Sequence, residues 1–235
     1  MSELPVPSPL GVLRLQSWLS PAFPTGAYSY SHGIEWAVAA ADIHDRDSLV
    51  DWLDADLRFG SGRNEAIFFG EAWRCASADD RAKLFAVAEL AGALRATSEL
   101  ALESAQQAAA CLAVLRRVWP DPLLDWLSET LRERRVQPAA AVVLGAGFAR
   151  QGVPAAVALP AFLQSWLANL VTAAVRLIPL GQTDAQLAIA ELEQVVLTAS
   201  AQAEGSTLAD VGSAALMVDF ASAAHETQYT RLFRS

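Results

Sequence analysis

The chain has 235 residues, 53% of them hydrophobic and 18% charged, with a formal net charge of −9. That supplies ample material for a core, and the acidic balance argues against nucleic acid and anionic membrane surfaces, both of which call for basic residues. Arginine carries nearly all the positive charge, Lys83 being the only lysine, and arginine suits the planar, bidentate contacts of interfaces.

Residues 1–9 hold three prolines and are expected to form a loose lead-in. They lack a basic region followed by an apolar run, so no signal peptide is expected. Val12, Leu13, Leu15, Trp18 and Leu19 give a first short helix its apolar side. It should end at Ser20, because a residue before proline is pushed out of the α region. The most unusual stretch follows, Ser20 to Trp36, SPAFPTGAYSYSHGIEW. Pro21 and Pro24 fix φ and remove donors, and Gly26 permits a turn. This reads as a rigid corner leading into a helix that begins near Tyr28. On that helix Tyr30, Ile34, Val38 and Ala41 would form one apolar stripe. Tyr28, His32 and Glu35 would share another face, at i, i+4 and i+7.

Asp47 or Ser48 can cap the next helix, which buries Leu49, Leu53 and Leu57 and stops at GSGR, residues 60–63. Further helices are expected from about Asn64 to Ala76, from Asp79 or Asp80, and from Thr97 or Ser98 up to Trp119–Pro120. Asp121–Pro122 is an N-cap followed by proline at the first helical position. The helix started by Pro138 contains Gly145 and Gly147, which suggests close helix contact or a bend. Gly152 to Val175 has no charged residue, but its prolines and polar residues read as a buried core helix, kinked or restarted at Pro160, rather than a membrane span. Thr183-Asp-Ala-Gln186 looks like a capping box for a helix running to about Ala203. Short helical pieces then lead to AAHETQYTRLFRS. No alternating strand pattern is visible. The fold class is all-α, a single-domain bundle of about eight to ten helices spanning residues 1–235.

Several chemistries are missing. No phosphate-binding glycine loop precedes a lysine and no dinucleotide fingerprint is present. Ser29-Tyr-Ser-His-Gly33 falls short of a nucleophile elbow, since it lacks the strand that motif needs. The carboxylates look scattered along solvated helix faces and nominate no acid–base pair. Cys75 and Cys111 match no metal or redox spacing and read as buried thiols in a reducing compartment. His44 reads as a solvated loop residue. His32 and His225 lie in the two distinctive stretches, where a structural hydrogen bond is the simpler role for each, and no metal or cofactor site is expected.

Two stretches together resemble one family, the urease accessory protein UreF. Residues 13–38, LRLQSWLSPAFPTGAYSYSHGIEWAV, look like its N-terminal pattern, and residues 225–235, HETQYTRLFRS, resemble its C-terminal ending almost letter for letter. Leu163 to Asp184, with Trp166, Asn169, Arg176 and PLGQTD, is also similar. The resemblance implies a non-enzymatic, cytoplasmic, homodimeric chaperone for nickel insertion into urease. It implies an adaptor that joins the UreD/UreH accessory protein to the UreG GTPase and docks on the urease apoenzyme. The nucleotide site would belong to UreG. The alternative is a helical scaffold without any nickel role. Candidate partner-binding residues are Pro21, Pro24, Gly26, Tyr28, His32 and Glu35 in the corner, and His225, Glu226, Gln228, Tyr229, Arg231, Leu232, Phe233 and Arg234 in the C-terminal tail. Arg176 is expected at or near the dimer interface. The tail, with Arg231 and Arg234 one helical turn apart, is expected to order only when a partner covers its aromatics, because eleven residues make no stable helix alone.

Overall fold

The computed structural model describes residues 6–235. Part of the lead-in, residues 1–5, therefore lies outside the described residues. The architecture is all-α, with eleven α-helices and two 3-10 turns, and no strand among the described residues. In order the helices are α1 (Pro9–Trp18), α2 (Ile34–Ala39), α3 (Arg46–Phe59), α4 (Ser61–Ser77), α5 (Arg81–Ala93), α6 (Ser98–Val118), α7 (Pro122–Arg134), α8 (Ala140–Arg150), α9 (Ala155–Val175), α10 (Gln182–Glu204) and α11 (Leu216–His225).

The centre is α4 against α8. Every residue of α4 from Asn64 to Gly70 is buried, as is every residue of α8 from Ala141 to Phe148. Helices buried on every side must be enclosed by others. Here α3, α5, α9 and α10 surround α4, and α6 packs on α8. Gly145 sets the closeness of the central pair. A Cβ placed on it would lie 2.5 Å from the Phe69 carbonyl oxygen on α4, so only glycine lets the two backbones meet. Phe69 stacks on Phe162 of α9, and Trp18 of α1 packs on Phe148 and Trp119.

Several boundaries follow the caps read from sequence. Asp80, Thr97 and Asp121 each accept a backbone N–H in the first turn of α5, α6 and α7. Others move. The cap of α3 is Asp45, with Ser48 closing a reciprocal box, rather than Asp47 or Ser48 as cap. Helix α10 starts at Gln182 on Gly181 with no side-chain cap, so Thr183 and Asp184 sit inside its first turn instead of capping it. Helix α9 continues through Pro160. It is long and apolar enough to cross a membrane, yet no residue from Val153 to Val171 is exposed, and α10, α4 and α8 pack around it.

The corner differs most from expectation. No helix begins at Tyr28. Ala27–Ser29 make one 3-10 turn, Tyr30 is extended, and His32 and Gly33 both take left-handed φ, 58° and 81°, before α2 starts at Ile34. Two successive left-handed residues reverse the chain, so Tyr28, His32 and Glu35 share no helix face. Tyr28 is exposed, whereas His32 and Glu35 are buried. Ala41 also has positive φ and lies beyond α2, which breaks the expected stripe. Gly33 is required twice over. Besides its φ, a Cβ there would lie 2.9 Å from the Ser222 nitrogen of α11.

Candidate functional site

Two polar side chains of α9 and Arg176, which follows it, hold the corner from below. Ser165 donates to the Leu19 carbonyl at 2.9 Å, Asn169 to Ala27 at 3.3 Å and Arg176 to Tyr28 at 2.6 Å. Their spacing, i, i+4 and i+11, puts them on one helix face. The polar residues that set this helix apart from a membrane span thus satisfy carbonyls of a segment that has little secondary structure of its own.

The C-terminal segment folds back over the corner. After α11 ends at His225 the chain is non-helical, so Arg231 and Arg234 are not a helical turn apart. They diverge, Arg231 to Glu99 at 2.5 Å and Arg234 to Gln106 at 3.3 Å. Glu226 accepts from the Ser98 nitrogen at 2.8 Å, the Ser98 hydroxyl at 2.6 Å and the Glu99 nitrogen at 3.2 Å, which supplies acceptors to the free donors at the start of α6. Those bonds, the Ser98 hydroxyl foremost, hold its carboxyl below the usual range. Glu35 accepts the backbone N–H groups of Leu232 at 2.6 Å and Phe233 at 2.9 Å. The Phe233 ring is buried, with the Arg176 guanidinium 4.2 Å from its centroid. Arg234 donates its N–H to the Ser29 carbonyl at 3.0 Å. The Ser235 carbonyl accepts from the Ser31 nitrogen at 2.9 Å and the Ser31 hydroxyl at 2.5 Å, and its own hydroxyl donates to Glu103 at 2.6 Å. In the chain by itself, then, the segment is packed on its own domain, against the expectation that it orders only under a partner.

Two histidines lie inside this clasp. His225 is fully buried, with Nδ1 2.6 Å from Glu99 and Nε2 3.2 Å from Glu35. His32 has Nε2 2.7 Å from the Ser61 hydroxyl, Nδ1 3.6 Å from Glu103, and its ring edge-on to Trp166. Ser61 in turn donates to both oxygens of the buried Asp56, at 2.9 and 3.0 Å. Burial pushes the Asp56 carboxyl up, with His32 and the Ser61 bond opposing. Nearby, Glu65 pairs with Arg95 in the interior. Carboxylates are therefore not confined to solvated faces: Glu35, Asp56, Glu65 and Glu103 are buried. Each has a hydrogen-bond or charge partner, as a buried charge requires. His44 is exposed beside Asp45. Cys75 and Cys111 are buried and unbonded, and burial pushes the Cys111 thiol up to about 12.

Of the residues singled out in the sequence, His32, Glu35, His225, Glu226, Arg231, Phe233 and Arg234 come together, and Arg176 joins them. Leu232 reaches the clasp through its backbone. Gln228 bonds within the segment to the Thr230 carbonyl. Pro21, Pro24 and Tyr28 stay on the outside, and Gly26 makes the turn with φ 76°. Tyr229 and Leu232 also project into solvent, as do Leu216, Met217 and Phe220 on α11. Sequence reasoning missed Ser31, Asp56, Ser61, Glu99 and Glu103. A signal existed for two of them: Glu99, Glu103 and Gln106 recur at helical spacing in an otherwise alanine- and leucine-rich helix.

The model of the UreF family matches residues 43–193. The urease accessory protein UreF of Rhodopseudomonas palustris (strain BisB5) is 45% identical over 222 residues, 94% of this chain and 90% of its own length. That of Bradyrhizobium diazoefficiens is 46% identical over 222 residues, with the same coverage. The UreF of Bradyrhizobium sp. (strain BTAi1) is 44% identical over 235 residues, all of this chain and 95% of its own length. This last similarity covers the corner and the C-terminal segment as well.

Proposed function

This chain belongs to the UreF family of urease accessory proteins, and we propose that it acts as the adaptor of urease maturation. In this reading it is a cytoplasmic, non-enzymatic, single-domain protein that works as a homodimer. It joins the UreD/UreH accessory protein to the UreG GTPase on apo-urease, regulates GTP-dependent nickel insertion and leaves nucleotide chemistry to UreG. The observation that carries it is the clasp. Residues 226–235 and the corner form one continuous surface, and Tyr28, Tyr229 and Leu232 stand out from it into solvent, 72%, 101% and 63% exposed. Aromatic and leucine side chains displayed on a hydrogen-bonded frame are what a protein partner can cover. Net charge −9 suits a protein partner better than a phosphate backbone.

Deletion of residues 225–235 tests this. The helical bundle should remain folded, while the complex with the UreD/UreH protein or with UreG is lost in pull-downs. Full assembly by the shortened chain would sink the proposal. Arg176, exposed at the end of α9, we place at or near the dimer interface. An Arg176→Asp protein that still runs as a dimer on a sizing column would remove that part.

One observation favours a second reading, a scaffold that never touches nickel. Both clasp histidines are buried and already engaged with carboxylates or a hydroxyl, so neither offers a free ligand nitrogen at the surface. Nickel titration of the isolated dimer and of the assembled complex separates scaffold from conduit.

A further inference from the structure

We infer that His32 is a proton-controlled keystone of the clasp: as an imidazolium it seats the end of the C-terminal segment, and loss of its proton on the alkaline side releases that end.

Hydrogen-bond inventory fixes one ring proton. Ionised Asp56 only accepts, and the Ser61 hydroxyl spends its single proton on it. While Asp56 is ionised, the His32 Nε2, 2.7 Å from that hydroxyl oxygen, is therefore left to donate. The other nitrogen, Nδ1, is buried and has no hydrogen-bond partner. It faces the Glu103 carboxylate at 3.6 Å. Left bare, it would turn a lone pair towards a carboxylate where water is excluded. A proton there converts the contact into attraction between a buried cation and a buried anion.

The surrounding charges agree. Facing His32 are Glu103 from α6, Asp56 from α3 through Ser61, and Glu65 from α4, which Arg95 already neutralises. The face contributed by α9 is the uncharged Trp166. Arg234, a cation of the C-terminal segment, is exposed and turned towards Gln106 and Tyr30. Burial is the largest single influence on the imidazole and works against its charged form. The Glu103 contact and the charges of Glu103, Asp56 and Glu65 together outweigh it, and the pKa is raised.

Glu103 links this charge to the C-terminal segment, since the same carboxylate oxygen that faces His32 accepts the Ser235 hydroxyl. Ser31, the neighbour of His32, holds the Ser235 carbonyl. The sign follows from the raised value. The contribution is fully present below the ordinary histidine pKa and is lost as pH rises through the native one. Deprotonation would leave Asp56 and Glu103 buried without their cation, and the cheapest relief is to open the lid that Ser235 forms over Glu103. This concerns regulation of the surface proposed above and rests on that reading for its place in the assembly.

The test uses the isolated chain, so its failure and the failure of partner binding are told apart. Amide exchange of residues 228–235, corrected for intrinsic rates, is followed from mildly acidic to alkaline pH alongside NMR of the His32 ring. Protection of Phe233, Arg234 and Ser235 should be constant below the ordinary histidine pKa, fall towards about tenfold per pH unit above it, and level off once the native His32 midpoint is passed. His32→Asn, chosen because asparagine tolerates the left-handed φ, should give low protection with no such break. If that variant does not fold, the native chain still decides. Protection that stays unchanged from the ordinary histidine pKa through the native His32 midpoint, or a His32 ring already neutral where the segment is fully protected, overturns the inference.

Discussion

The carboxylate of Glu35 accepts the main-chain N–H of Phe233 at 2.9 Å across 198 residues of sequence. The same carboxylate takes the Leu232 N–H and faces His225. One buried acidic side chain thus ties α2 to α11 and to the segment beyond it.

Glu35→Ala should release that segment. It strips the acceptor from two backbone donors and an imidazole nitrogen. Hydrogen bonds to a charged group are worth about 1.5–3 kcal/mol each, and donors left buried and unpaired add to the cost. Part of that loss is recovered as the segment moves into water, so we expect about 3 kcal/mol. Residues 228–235 should become sensitive to limited proteolysis while far-UV circular dichroism stays helical. Glu35→Gln, which keeps one acceptor oxygen, should lie between the two. Wild-type protease resistance in the alanine variant would show that the segment is held elsewhere.

Gly145→Ala tests the central helix pair. Alanine gains about 1 kcal/mol of helix propensity over glycine. Its Cβ, however, would lie 2.5 Å from the Phe69 carbonyl, and the neighbour is backbone, which cannot swing aside. Overpacking of this kind costs about 1–3 kcal/mol, and a rigid backbone contact belongs at the upper end. Net destabilisation of about 2 kcal/mol is expected, a fall of about 4–8 °C in Tm for a chain of this size. An unchanged or raised Tm would mean the helices can separate without cost.

Glu226 makes the junction of α11 and α6 acid-sensitive. Its carboxyl is held below the usual range by the Ser98 and Glu99 bonds, so the folded state favours the ionised form. That contribution is present above the unfolded pKa and is lost as pH falls through the folded one. The group is exposed, so the effect is small. Amide exchange at Ser98 and Glu99 should rise on acidification in the native chain. Glu226→Gln should show faster exchange already at neutral pH and little further change.

Thiol labelling probes the interior. Burial raises both thiols, Cys111 to about 12, so the thiolate that reacts is scarce and shielded. Neither Cys75 nor Cys111 should react with a maleimide or disulfide reagent in the folded chain near neutral pH. Both should react in denaturant. Rapid native labelling of either would place it at an opening in the bundle.

Much of the fold was legible because it rests on local chemistry. Asp121–Pro122 begins α7 through a cap and a pre-set φ that act within a single turn. Gly145 and Gly147 pointed to a close helix contact or a bend, since glycine inside a helix costs stability unless something demands it, and at Gly145 it is the close contact. Capping was less legible at α3, where Asp47 or Ser48 was expected and Asp45 serves, because a shift of two or three residues changes little energy. The candidate site was legible in part. Two stretches stood out by composition, and they do meet.

The sequence by itself determined that the chain is an all-α bundle, that the corner and the final residues are special, and to which family they point. Periodicity, caps and motifs are properties of neighbours along the chain. Only the tertiary structure decided that His32 and Gly33 turn left-handed instead of continuing a helix, and that Glu35, Glu99 and Glu103 face inward to receive residues 225–235. Those choices depend on Ser222 lying against Gly33 and on α6 lying beneath the C-terminal segment. A buried carboxylate is tolerable only where its donors arrive, and here those donors come from more than a hundred residues away.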